Sequence, residues 1–211
     1  MRVQSSSMKQ PAIILLGGVP GTGKTTIANA LVGSYGLTHH ISTGFIRASI
    51  SHFLSNKEAS LLRHHSYDAF EAITGPIPEG RSRLLEGAIQ QAILLKPSIE
   101  SCIRRSTREG IGVVFEGSHF IPGTIDPRLV GANMMFILGV KDIDELRRRV
   151  LSPNHSRRKL TDEQIYHLAE LQEELFALAN IHNQQIIVND DLETAINQIR
   201  GTISSAATPK E

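Results

Sequence analysis

The chain has no tryptophan and a single cysteine, Cys102, in 211 residues. One thiol excludes an intramolecular disulfide and any multi-cysteine zinc site. An excess of either charge is missing too: 22 Lys and Arg face 21 Asp and Glu, for a formal net charge of +1. That balance leaves no electrostatic footprint for a nucleic-acid backbone or an anionic membrane. No apolar run approaches the ~20 residues of a membrane span, and residues 1–10 lack the apolar core of a signal peptide. The expectation is a cytoplasmic protein with neither nucleic acid nor membrane as partner. Internal repeats and low-complexity tracts are also absent. What remains is an ordinary globular composition, 40% hydrophobic and 20% charged, at a length that suits one domain with its own core.

Against those absences stands an unbroken G-x-x-x-x-G-K-T, Gly18-Val-Pro-Gly-Thr-Gly-Lys-Thr25. It follows the apolar run 12–17 and precedes a helix-like segment at 26–32, the strand–loop–helix context of a phosphate-binding P-loop. Gly18, Gly21 and Gly23 allow successive backbone N–H groups to turn inward around phosphate oxygens. The helix that follows aims its positive N-terminal end at the same phosphates. Lys24 then reaches the β/γ oxygens and the Thr25 hydroxyl ligates magnesium. Thr22 and Thr26 complete the expected nucleotide-binding set.

Five short apolar runs, at 12–16, 39–42, 112–115, 134–138 and 185–188, alternate with helix-like stretches. That alternation predicts a three-layer α/β fold of P-loop kinase type, with a mostly parallel five-stranded sheet and a helical lid. Helices are expected over 44–54, 81–95, 98–108, 161–179 and from 190/191 to 199. In the first, Phe45, Ile46, Ile50 and Phe53 share related faces. Pro97 is expected to separate the second and third. Thr161 to Gln164 forms a capping box, and Gly201 is expected to end the last helix. The domain expectation is a disordered leader over 1–10, a kinase domain over 11–203 with its lid at about 147–160, and a flexible tail over 204–211.

Three further segments carry chemistry. Ile111 to Glu116 is an apolar strand ending in an acid, which in a parallel sheet lies beside the P-loop at the carboxyl edge. Glu116 is thus expected to hold magnesium water or to accept a hydroxyl proton. His119, just after it, either contacts substrate or packs within the loop. Arg147, Arg148 and Arg149, followed by Arg157, Arg158 and Lys159, surround a stretch of turn composition. Guanidinium forks suit phosphate, and a lid here can close over a nucleotide. Arg148, Arg149, Arg157 and Arg158 are its expected phosphate contacts, with Arg157 assigned to catalysis. Three adjacent arginines cannot share one helix face, so at least one must point away. Ser42 or Thr43 can cap the next helix, with Arg47 one turn in, presenting a hydroxyl and a guanidinium to an anion. The pairs His39/His40 and His64/His65 lack a metal-ligand pattern and read as structural or surface residues.

Taken together, these segments resemble the archaeal 2-phosphoglycerate kinase family, which includes the mevalonate 3-phosphate 5-kinases. The resemblance rests on Ile14 to Thr26, Ile41-Ser-Thr-Gly-Phe-Ile-Arg47, Ser66-Tyr-Asp-Ala-Phe70, Phe115-Glu-Gly-Ser-His-Phe-Ile-Pro-Gly123 and the arginine-rich region 147–158. It implies an ATP- and Mg²⁺-dependent kinase that phosphorylates a hydroxyl of a small anionic metabolite. Lys24 and Glu116 would serve catalysis, Thr25 and Glu116 the metal, and Thr43, Arg47 and His119 the acceptor. 2-Phosphoglycerate is the expected acceptor, giving 2,3-bisphosphoglycerate, with mevalonate 3-phosphate as the alternative. A nucleotide-gated binding protein without a small acceptor is the rival of another class, and a homo-oligomer is open to either. One departure stands out. The family pattern reads S-T-D-x-I-R, and this chain has Gly44 in the aspartate position, which shifts any base role toward Glu116.

Overall fold

A computed structural model of the chain describes residues 11–35, 37–153 and 159–207, with only the backbone for 56–58, 206 and 207. The expected leader and positions 208–211 of the expected tail lie outside the described residues.

Strand β1 (Ile13–Gly17) runs through the P-loop into α1 (Lys24–Tyr35), and β2 (His39–Ser42) follows. Next come α2 (Thr43–Ile50), α3 (Asn56–Arg63), a 3-10 turn at Ala69–Ala72 and α4 (Arg83–Glu109). Strand β3 (Val113–Glu116), the short α5 (Pro127–Val130), β4 (Met134–Gly139) and α6 (Ile143–Val150) lead to α7 (Asp162–Ile181), β5 (Gln185–Val188) and α8 (Leu192–Ala207). The strand order is β2-β3-β1-β4-β5, and every pairing is parallel.

Side chains alternate across a strand, so β1 serves two cores. Ile13 and Leu15 face α4, α6 and α7, packing with Leu95, Ile99, Val150, Leu168 and Leu171. Ile14 and Leu16 face α1 and α8, with Ile27, Leu31, Ala195 and Ile199. Burial on both faces is why the central strands read as continuous apolar runs. The register sets Glu116 beside Leu16 on one side and Ser42 on the other. The ends of β1, β2 and β3 therefore meet at one edge, where α/β sheets bind ligands.

Several local expectations need correction. Helix α4 continues through Pro97 as one helix of 27 residues. Pro97 sits on the exposed side; the Ile93 carbonyl that loses its partner is on an exposed residue as well, within reach of water. Leu95, Ile99 and Ile103 hold the opposite face in the core. Of the four apolar residues expected on related faces, Ile46 and Ile50 pack inward from α2, whereas Phe45, and Phe53 beyond the end of the helix, are 79% and 88% exposed. Helix α8 runs past Gly201 to Ala207. α3 and α5, both short, were not expected.

Candidate functional site

The P-loop takes its shape from its glycines. Gly21 and Gly23 hold φ of 89° and 86°, a region that side chains disfavour. Gly18 lies so close to β4 that a Cβ would fall 2.3 Å from the Leu138 carbonyl oxygen. Lys24 is buried, and its Nζ donates to the Val19 carbonyl at 2.8 Å. Burial lowers its pKa, while Glu116 acts in the opposite sense. Thr22 is fully buried and bonds the same carbonyl at 2.9 Å. Gly18 and Thr22 thus support the loop from behind, whereas Gly21, Gly23, Lys24, Thr25 and Thr26 line a cavity of about 710 Å³.

Glu116 enters that cavity from the end of β3 and is 5% exposed. The Thr25 hydroxyl lies 3.5 Å from its Oε1. His40 Nε2 lies 3.7 Å from the same oxygen and has no hydrogen-bond partner of its own. The other His40 nitrogen meets Asn29 Oδ1 at 2.9 Å. A hydroxyl beside a carboxylate is a hard-oxygen pair of the kind magnesium uses with phosphate and water. Among the described residues, no group of three or more His, Cys, Asp or Glu could hold a metal by itself. The site therefore fits a metal carried in largely by phosphate oxygens and completed by Thr25 and Glu116.

The opposite wall comes from α2 and the segment after α3, with Ser42, Gly44, Phe45, Arg47, His65 and Ser66 on the cavity surface. Ser42 caps α2, its Oγ accepting from the Gly44 N–H at 3.3 Å. Thr43, expected to meet the acceptor, is fully buried behind the wall. Its hydroxyl pairs with His119 Nδ1 at 2.6 Å. Gly117 makes that approach possible, since a Cβ there would sit 1.8 Å from Thr43 Oγ1. His119 does line the cavity, yet burial first, then Arg47 and Lys24, lower its pKa to about 3. The ring is neutral at working pH, so it contributes shape and no positive charge. Its Nε2 meets Gln91 Oε1 at 3.1 Å.

Arg47 also lines the cavity, and it has structural work besides. Its Nη1 donates to the Leu62 carbonyl and, at 2.6 Å, to that of His64, holding the last turn of α3. Gly44 has only Ser42 Oγ near the place of a Cβ, at 3.4 Å, so the missing aspartate leaves open space.

The three arginines of α6 divide between two acids, Asp162 and Glu145. Arg147 pairs with Asp162 on α7. Arg148, largely exposed, forks onto Glu145 at 2.8 and 2.6 Å. With Arg149, which also reaches Glu145, it holds that carboxyl at a pKa of about 2. Arg149 Nη2 further donates to the Asn189 carbonyl at 2.6 Å. Asn189 Nδ2 in turn donates to the Thr22 carbonyl at 2.9 Å, which links α6 to the P-loop through the end of β5. Arg157 and Arg158 lie outside the described residues.

Gln91 and Asn189 had not been singled out, His40 had been read as a structural or surface residue, and Phe45 as part of an amphipathic helix face. Gln91 had a readable signal, as the lone polar residue in the Leu84–Ala88–Leu95 stripe of α4. Asn189 had a weaker one, at the end of the last apolar run.

Residues 14–108 match the model of the ATPase family associated with various cellular activities (AAA). Among curated proteins, the chain is 29% identical over 91% of its length to a 2-phosphoglycerate kinase of Pyrococcus horikoshii. It is 30% identical over 90% of its length to that of Methanothermobacter thermautotrophicus. It spans 64% and 65% of those two relatives, just under two thirds of their length. The resemblance read from the motifs is thus borne out across most of the chain. Among solved structures, shikimate kinase from Acinetobacter baumannii in complex with shikimate superposes with a TM-score of 0.51 at 15% identity, covering 95% of this chain and 97% of that one. Shikimate kinase from Bacteroides thetaiotaomicron gives 0.52 at 16% identity, covering 92% and 98%. At such identities these likenesses speak to the fold alone: the α/β fold of the P-loop kinases.

Proposed function

We propose that the chain is an ATP-dependent kinase that phosphorylates a hydroxyl of a small anionic metabolite, with 2-phosphoglycerate as acceptor and 2,3-bisphosphoglycerate as product. One observation carries the reading. A buried P-loop lysine and a strand-end carboxylate converge on a cavity whose opposite wall bears a guanidinium, in a chain similar to 2-phosphoglycerate kinases over nine-tenths of its length.

Magnesium would supply charge neutralisation of the β- and γ-phosphates. The rest is the work of this chain. The P-loop amides orient the phosphates and Lys24 offsets charge that spreads over the γ-oxygens. Glu116 accepts the proton of the attacking hydroxyl as its oxygen bonds to phosphorus and ADP departs. Arg47 attracts the anionic acceptor, and neutral His119 fixes the contour of its seat. Arg149 stands by the P-loop for the nucleotide side. Phosphoryl transfer asks chiefly for such positioning and charge stabilisation.

The experiment is ADP release from MgATP by the purified chain, with 2-phosphoglycerate, mevalonate 3-phosphate or no acceptor. Stimulation by 2-phosphoglycerate, lost in Lys24→Ala while thermal unfolding stays cooperative, is the expected result. Stimulation by mevalonate 3-phosphate alone would reassign the acceptor. Slow hydrolysis indifferent to both would point to the nucleotide-gated binding protein.

A further inference from the structure

The apolar stripe of α4 buries one carboxamide completely. Gln91 is 0% exposed, and its hydrogen bonds determine one another. Nε2 lies 2.8 Å from the Leu61 carbonyl oxygen and 3.0 Å from that of His64. Both partners can only accept, so the amide nitrogen must face them; the flipped carboxamide would set oxygen against two oxygens. Gln91 Oε1 therefore faces His119 Nε2, at 3.1 Å, and can only accept. The hydrogen sits on Nε2. Nδ1 of the neutral ring is then a bare lone pair, and it accepts a hydrogen bond from the Thr43 hydroxyl at 2.6 Å.

We propose that Gln91 is a positioning residue for the phosphoryl acceptor: it locks His119 as the Nε2–H tautomer and ties that ring to the carbonyls at the end of α3. The word acceptor rests on the kinase reading above; the tautomer does not. His119 closes the loop that begins at Glu116, and His65 and Ser66 continue from α3 along the cavity. One side chain thus joins the wall carrying the strand-end carboxylate to the wall facing it. The chemistry is selective. Lysine has no acceptor, a carboxylate has no donor, and a hydroxyl has one proton where two carbonyls must be served. Without Gln91 the Leu61 carbonyl loses this donor and that of His64 keeps Arg47 alone; α3 loosens at its last turn and His119 can exchange tautomers. The hydrogen bonds that hold the P-loop, from Thr22 and Lys24 to the Val19 carbonyl, are separate from this set, so the nucleotide side is expected to stay as it was.

The test uses the full chain labelled with ¹⁵N-histidine, without ligand. Long-range proton–nitrogen spectra, with the His119 signals identified by their loss in His119→Gln, report which ring nitrogen carries hydrogen. The wild type is expected to show one neutral tautomer, Nε2–H. Gln91→Leu should mix the tautomers and raise KM for 2-phosphoglycerate by about tenfold, the scale of one or two lost buried hydrogen bonds, with KM for ATP unchanged. Gln91→Glu keeps an acceptor for Nε2–H and loses both donors to α3. It should keep the tautomer while still raising the acceptor KM. An Nδ1–H ring in the wild type overturns the proposal even if Gln91→Leu fails to fold, as does a Gln91→Leu protein with unaltered tautomer and KM. A wild type that shows the Nε2–H ring but turns over no 2-phosphoglycerate would remove the kinase reading and leave the tautomer assignment standing.

Discussion

Glu116 sits between two groups that hold hydrogen differently, the Thr25 hydroxyl at 3.5 Å and the His40 imidazole at 3.7 Å. Its charge is what the proposed chemistry uses, so Glu116→Gln, which keeps the shape, should lower kcat by about a hundredfold or more. Fluorescent-nucleotide titration should show ATP affinity largely kept; an unchanged kcat would make Glu116 a strand-end acid and nothing more. His119 makes a second expectation, about pH. The unfolded chain protonates this ring near its ordinary value of 6.5, the folded chain only near 3. Between those values the unfolded state binds the extra proton. Stability attributable to His119 is therefore complete above about 6.5 and falls with pH, by up to about 1.4 kcal/mol per unit. Urea unfolding at pH 7, 6 and 5 should show a shallower acid slope for His119→Gln than for wild type, and equal slopes would contradict the buried neutral ring. At this scale legibility divided by chain distance. Lys24, Thr25 and Glu116 were readable because motif spacing and a strand end determine where they point. The pairing of Thr43 and Gln91 with His119 was not, because the partners lie 76 and 28 positions away.

Helix starts with a local capping signal came out as read. The capping box of Thr161 and Gln164 opens α7, and Ser42 caps α2. The misread elements are those in which tertiary packing overrode a local rule. Pro97 predicts a break, but the core-facing stripe of α4 continues on both sides of it and holds the helix together. The proline still costs a helix hydrogen bond. Pro97→Ala should therefore stabilise the protein by about 2 kcal/mol, the interior proline penalty less the unfolded-state entropy that proline removes. Denaturant midpoints at constant m-value measure it; a destabilised variant would mean that the proline ring stabilises the helix more than the lost bond costs it. In α2 the 3.6-residue period placed four apolar residues together, but the helix ends at Ile50, before Phe53. Phe45 meanwhile turns to the cavity rim instead of the core. Periodicity cannot tell an inward apolar face from the mouth of a site.

For the whole molecule, the alternation of apolar runs and helices was enough to read a five-stranded α/β sheet, since strands covered on both faces carry few polar residues. The edge strands were the faint ones: β2 has no buried residue and β5 only one. Strand order itself could not be read, because it depends on crossovers between distant segments. That order has a consequence for how such a protein can change. With β1 in the middle, the acceptor wall (42–66) and the loop 116–119 stand on the β2–β3 side, while Arg149 and Asn189 stand on the β4–β5 side. Everything proposed to recognise the acceptor thus falls within one uninterrupted stretch, 38–123, and the lid arginines and the β5 end lie wholly beyond it. Grafting that stretch from a relative with another acceptor should carry the new preference with it and leave KM for ATP where it was. Inheritance could do the same by accumulating changes in that stretch alone, letting one nucleotide engine serve a succession of different metabolites.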